Sequence, residues 1–284
     1  VLVLTLAAAV LIGVALGVLG GGGSILTVPI LVYLAGLDAK HAIAMSLFVV
    51  GVTSALGAIP HARAGRVRWR TALLFGATAM AGAYGGGRLA AFIPAGWLLA
   101  GFGAMMLATA VAMLHEPRGE RADPHRELPI PLVVAEGVVV GAVTGLVGAG
   151  GGFLVVPALV LLGGLPMAVA VGTSLVVIAM KSFAALAGYL STVQIDWGLA
   201  LAVTAAAVVG GVLGGRLAGR IPDRLLRHGF GWFVVVMGTF VLTQQLPAGW
   251  WPVIGIVAVA APATVVLRTR SRRRHALRQG PARR

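Results

Sequence analysis

The chain has 284 residues, of which 59% are hydrophobic and 11% charged, and its mean hydropathy is +0.98; soluble domains carry about 25% charged residues, so water is excluded as its main solvent. It has no cysteine, which removes disulfides, thiolate metal sites and thiol catalysis. The formal net charge of +14 gathers in a few loops and in the tail, where eight arginines lie between Arg268 and Arg284; beside a membrane helix such a run holds its end on the cytoplasmic side and attracts anionic lipid, which accounts for it better than nucleic acid does.

In chain order, the apolar stretch 1–19 has no basic leader and no A-x-A-like end, so it is expected to stay in the mature protein rather than act as a secretion signal. Glycines interrupt it at 20–23, and a short apolar piece, 25–35, follows with Pro29 inside it. Further apolar stretches cover 42–59, 71–92, 98–114, 167–190, 199–218 and 251–267. Each is long enough to cross a hydrocarbon core of about 30 Å as a helix. None shows the regular alternation of a membrane β-barrel strand, which leaves helices as the way to satisfy the backbone in lipid. The fold class that follows is an all-α polytopic membrane protein.

Adding 128 to a residue number finds its partner without a gap. Gly17, Gly20, Gly22, Gly23, Leu26, Val28 and Pro29 meet Gly145, Gly148, Gly150, Gly151, Leu154, Val156 and Pro157. Ser46-Leu47 meets Ser174-Leu175, Trp69 meets Trp197, the G-G-R-L-A run from Gly86 meets the one from Gly214, and Ile93-Pro94 meets Ile221-Pro222. Apolar composition alone gives chance Leu, Val and Ala matches, but not Arg, Trp, Pro and Ser in one register. The segment 115–131, with four prolines, three arginines and four acidic residues, joins the halves as a solvated linker. The expected organisation is an N-terminal repeat at 1–114, a cytoplasmic linker at 115–131, a C-terminal repeat at 132–245, an additional transmembrane helix at 246–267 and a basic tail at 268–284.

Loop charge assigns the two repeats opposite orientations. Arg63, Arg66, Arg68 and Arg70 surround the loop before Trp69, whereas the matching loop before Trp197 holds Asp196 and no Lys or Arg. Around Pro94 no charge follows Arg88 before the next apolar stretch, while Arg220, Arg224 and Arg227 flank Pro222. Because Lys and Arg favour the cytoplasmic side, matching loops belong on opposite faces, and every basic cluster then fits one inverted-topology arrangement with a cytoplasmic C-terminus in the cell inner membrane.

The duplicated glycines mark a candidate site. Gly20, Gly21, Gly22, Gly23 and Ser24 in the first half, and Gly148, Gly150, Gly151 and Gly152 in the second, break or re-enter the apolar path at equivalent places, followed by Pro29 and Pro157. Consecutive glycines allow positive φ, so their N–H groups can turn toward one point as an anion-binding nest at the start of a half-helix. Glycine can also serve only close helix packing, as in Gly82-x-x-x-Gly86 and Gly210-x-x-x-Gly214. Ser46, Thr173 and Ser174 offer neutral hydroxyl donors, with back-bonding to their own helix as the alternative use. Lys181 lies deep in an apolar stretch, where an ionisable group is costly and usually functional. An anion partner is favoured for it over snorkelling or an ion pair with Glu136. Arg88 and Arg216 lie near stretch ends and can reach the interface.

These residues, G-G-G-G-S-x-L-x-V-P, G-A-G-G-G-F-L-V-V-P, the G-T-S-L from Gly172 and the two G-G-R-L-A runs, resemble the sulfite exporter TauE/SafE family over most of the chain. The resemblance implies a cytoplasmic-membrane permease for sulfite, sulfonates or related anions, with the Gly/Pro stretches and the G-T-S-L region as its site. An intramembrane enzyme needs a nucleophile with a base or a metal cluster, and no H-E-x-x-H, G-x-S-x-G or buried His/Asp pair is present. A non-transporting scaffold that docks a partner through its tail is the other rival. The expectations are therefore a non-enzymatic transporter with a small anionic substrate, membrane lipid as its surroundings, no nucleic-acid partner and no cofactor or metal.

Overall fold

The computed structural model describes residues 2–19, 22–114, 130–147, 155, 156, 159, 165, 167–217 and 223–245. The expectations placed on Gly20, Gly21, Gly148, Gly150, Gly151, Gly152, Pro157, most of the linker, the stretch 251–267 and the arginine tail lie outside the described residues.

Regular structure among the described residues is helical throughout, with no strand. The long helices are α1 Leu2–Leu19, α2 Ala39–Arg63, α3 Trp69–Leu89, α4 Ala95–Leu114, α5 Ile130–Val147, α6 Met167–Tyr189, α7 Trp197–Leu217 and α8 Asp223–Gln245. The first residues of α5 to α8 each lie 128 positions after those of α1 to α4, so the sequence repeat is also a repeat of helix starts. Local signals fix these ends. Asp38 caps α2 by accepting the Lys40 amide at 3.1 Å, and Asp196 caps α7 by accepting the Leu199 amide at 3.1 Å. Gly65, at φ 66°, closes α2: the Arg66 amide donates to the His61 carbonyl at 2.9 Å and the Gly65 amide to Ala62 at 3.1 Å.

Between α1 and α2 the short apolar piece is irregular. It runs as a 3-10 helix over Gly22–Leu26, one α turn over Thr27–Pro29 and a π turn over Ile30–Leu34. The Leu37 amide then donates to the Leu31 carbonyl at 3.1 Å, and Leu165 donates to Leu159 at the same distance in the second half.

By length and hydropathy α2, the part of α6 over Val169–Tyr189 and the part of α7 over Trp197–Arg216 are candidate membrane spans. The distribution of side chains agrees with a lipid solvent. Leu11, Leu73, Val139, Leu201 and Val212 are more than half exposed, while Ser24, Ser54, Thr144, Thr173, Ser174, Lys181 and Ser182 are buried. Water would favour the reverse arrangement.

Glycine brings the helices together. A methyl group at Gly82 or Gly86 would fall against the carbonyl oxygen of Val138 or Ala142 on α5, and one at Gly210 or Gly214 against that of Val10 or Val14 on α1. Gly13 and Gly17 return the contact onto Ala207 and Gly211, as Gly141 and Gly145 do onto Ala79 and Ala83. Along both seams the numbers rise together, so α1 runs parallel to α7 and α3 parallel to α5. At these glycines the seams are backbone-to-backbone contacts of small residues.

The central pair is antiparallel: Gly51 of α2 meets the Phe183 ring of α6, and Gly57 meets Leu175. The pair α4 and α8 is antiparallel as well, with Gly96 beside the Gln245 amide oxygen and Gly238 beside Met106. Two of the buried clusters correspond under the repeat. Leu31, Ala42, Val49, Ala200 and Ala207 occupy one, and Leu159, Ala170, Val177, Ala72 and Ala79 hold the same places in the other.

Candidate functional site

The contact of α5 and α6 holds the ionisable group deepest in the described structure. Lys181 is 1% exposed on α6, and its Nζ donates to Thr144 Oγ1 of α5 at 2.9 Å. Thr144 passes its own proton to the Val140 carbonyl at 2.7 Å, which leaves its oxygen free to accept from the ammonium. An ammonium has three donors, and this neutral partner satisfies one. The ion pair with Glu136 that the sequence left open is not formed. Glu136 lies two helical turns from Thr144 on α5, about 12 Å along the axis at 1.5 Å per residue.

The hydroxyls expected from sequence divide into two groups. Ser46 donates to the Ile43 carbonyl at 2.9 Å and Ser174 to Val171 at 2.8 Å, the back-bonding alternative. Thr173 instead accepts the backbone amide of Arg68 at 3.1 Å, which ties the start of α6 to the arginine-rich loop after α2. Gly172 enables this contact, because a methyl group there would fall against the Arg66 carbonyl oxygen.

The glycine run after α1 is described at Gly22 and Gly23. Gly22 and Gly23 open a right-handed 3-10 helix, and the positive-φ glycines among the described residues are Gly36 and Gly65, both in turns. The hydrogen bonds of a 3-10 helix close within three residues, so two glycines enter it without left-handed backbone. Ser24 and Pro29 are buried in this segment, and Thr27 beside them is 0% exposed with no hydrogen-bond partner among the described residues. The second run lies next to the end of α5, where the Tyr189 hydroxyl donates to the Leu146 carbonyl at 2.6 Å, two residues before Gly148.

Sequence reasoning missed Thr144 and a pair of serines. Ser54 on α2 and Ser182 on α6 are 0% and 1% exposed, and neither hydroxyl has a hydrogen-bond partner among the described residues. They are partners under the 128-residue repeat, and that spacing was the signal available for finding them. Thr144 had none, because its repeat partner is Leu16.

Comparison with known proteins points to a family of membrane transporters. A family model described as Sulfite exporter TauE/SafE matches residues 5–241. A probable membrane transporter protein of Xylella fastidiosa is 34% identical over 253 residues, covering 86% of this chain and 96% of the relative. A probable membrane transporter protein of Methanocaldococcus jannaschii is 29% identical over 64% of this chain and 71% of its own length, and one of Bacillus subtilis is 25% identical over 82% and 96%. No solved structure matches.

Proposed function

We propose, from the premise that this chain belongs to the sulfite exporter TauE/SafE family of membrane transporters, that it carries a small oxyanion, sulfite or an organosulfonate, outward by alternating access. The single observation that carries the substrate class is Lys181, an ammonium 1% exposed in an apolar helix whose one hydrogen-bond partner among the described residues is the neutral Thr144 hydroxyl. A buried cation without a carboxylate is costly, and an anionic ligand supplies the missing charge and accepts the remaining donors.

The movement rests on two repeats of opposite orientation. Antiparallel packing of repeat partners supports this, α2 with α6 and α4 with α8, as does the opposed charge of matching loops. The basic loop 63–70 then faces the cytoplasm of the inner membrane, together with the linker and the arginine tail, which rests on anionic lipid. Small-residue seams join helices of one repeat to helices of the other, α1 to α7 and α3 to α5, through backbone contact, while the α2–α6 crossing opens to one side or the other. The glycine runs 20–23 and 148–152 lie on the path of the anion, a place supported by their duplication after α1 and α5. Outward movement needs no coupling ion, since an inside-negative potential contributes about 2.3 kcal/mol per charge per 100 mV.

Counterflow of labelled sulfite, sulfate and small sulfonates in liposomes tests the reading. Uptake against unlabelled internal sulfite or sulfonate is the expected result, and the absence of counterflow for every oxyanion would remove the substrate class.

A further inference from the structure

The α2–α6 crossing carries a polar feature distinct from the Lys181 contact with α5. Ser54 stands midway between Gly51 and Gly57, the two α2 residues that meet α6, and so lies on the face α2 turns toward its partner. On α6, Ser182 stands seven residues, almost two full turns, after Leu175 and next to Phe183, the two residues that meet α2. Both hydroxyls therefore enter the same interface from opposite sides. The antiparallel register brings Ser54 level with position 179, three residues from Ser182, an axial offset of about 4.5 Å.

Other buried hydroxyls show what these two do not do. Ser46 and Ser174, one repeat pair on the same two helices, donate to carbonyls of their own turn, and so do Thr204 on α7 and the half-buried Thr53 beside Ser54. That bond is open to any helical serine or threonine. Ser54 and Ser182 leave it unmade although burial removes them from solvent, and an unmet buried hydroxyl is destabilising. One such group is a local defect, but two in repeat-equivalent positions, on the faces by which α2 and α6 meet, describe a site.

We propose that Ser54 and Ser182 form a hydroxyl pair that donates to the oxygens of the transported oxyanion, one from each half of the protein. This rests on the permease reading above and deepens it. Lys181 adjoins Ser182 in sequence, and an ammonium there opposes a cation and favours an anion with two or more acceptor oxygens. A pair related by the repeat also presents an equivalent donor to an anion arriving from either face of the membrane. An anion with a single acceptor oxygen meets fewer of these donors and binds more weakly.

The test uses the full chain purified in detergent and in liposomes, with Ser54→Ala, Ser182→Ala and the double variant, and Thr204→Ala as the back-bonded control. Sulfite-dependent thermal stabilisation reads binding, and counterflow reads transport. Each single variant is expected to weaken sulfite binding about 10- to 100-fold, the range of a hydrogen bond to a charged group, while its melting temperature without sulfite equals or exceeds that of the unmodified chain. Thr204→Ala keeps its sulfite affinity. Unchanged affinity in both serine variants would overturn the pair, as would lowered stability with affinity retained, which marks a packing role. If the unmodified chain neither binds nor counterflows any oxyanion, the permease reading fails and the pair with it, an outcome distinct from selective loss in the variants.

Discussion

Adding one methyl group to Gly86 should separate α3 from α5, and the size of the effect follows from the seam. The new Cβ would fall against the Ala142 carbonyl oxygen and 2.9 Å from the Leu146 amide nitrogen, both backbone atoms that no rotamer change can move aside. Relief requires the helices to part, and overpacking of this kind costs about 1–3 kcal/mol. Alanine returns about 1 kcal/mol through helix propensity, which leaves a net loss of about 1–2 kcal/mol at the severe end of the range. For a chain of this size that lowers the melting temperature by about 2–8 °C. Gly214, its repeat partner against Val14 on α1, should behave alike. Gly85 and Gly215, with nothing within 4 Å of an added Cβ, supply the internal controls, and alanine there should hold or raise stability. The assay is thermal unfolding of purified single variants in one detergent. Equal melting temperatures for Gly86→Ala and Gly85→Ala would refute the seam as the element that joins the halves.

Thr144→Val removes the oxygen that accepts from Lys181 at 2.9 Å while keeping the side-chain volume. It should reduce sulfite counterflow about tenfold or more through displacement of the ammonium, and unchanged counterflow would show that the hydrogen bond does not position Lys181. Single cysteines at Arg66→Cys and Gln194→Cys, in matching loops of the two repeats, should label from opposite sides of the membrane in the otherwise cysteine-free chain. Labelling from one side would contradict the opposed orientation. Ser54→Ala and Ser182→Ala should lose sulfite affinity without losing stability.

Helix positions were legible because they depend on two strong signals, apolar length and a repeat in one register. The boundaries are sharpened by short-range chemistry: Asp38, Asp196 and Gly65 set ends that hydropathy alone places only to within a few residues. The packing role of Gly82, Gly86, Gly210 and Gly214 was legible from small residues four apart on one helix face. Lys181 stood out because a charge in an apolar stretch has few inexpensive explanations. The hydroxyls were harder to read. Ser46 and Ser174 share their residue type and their repeat relation with Ser54 and Ser182, but the first pair back-bonds and the second does not. Rotamer and the facing helix decide that, and neither is written in local sequence. The same holds for Gly22 and Gly23, which could have supported left-handed backbone and instead enter a 3-10 helix under the buried Thr27 to Pro29 turn.

The most direct test of a lysine-centred oxyanion path is efflux of labelled sulfite from liposomes under an imposed inside-negative potential, comparing the unmodified chain with Lys181→Met. At 100 mV the driving energy of about 2.3 kcal/mol supports a roughly 50-fold gradient of a monoanion. Rapid, potential-driven efflux from the unmodified chain and none above background from a folded Lys181→Met variant is the predicted result. Equal efflux from both would contradict the account.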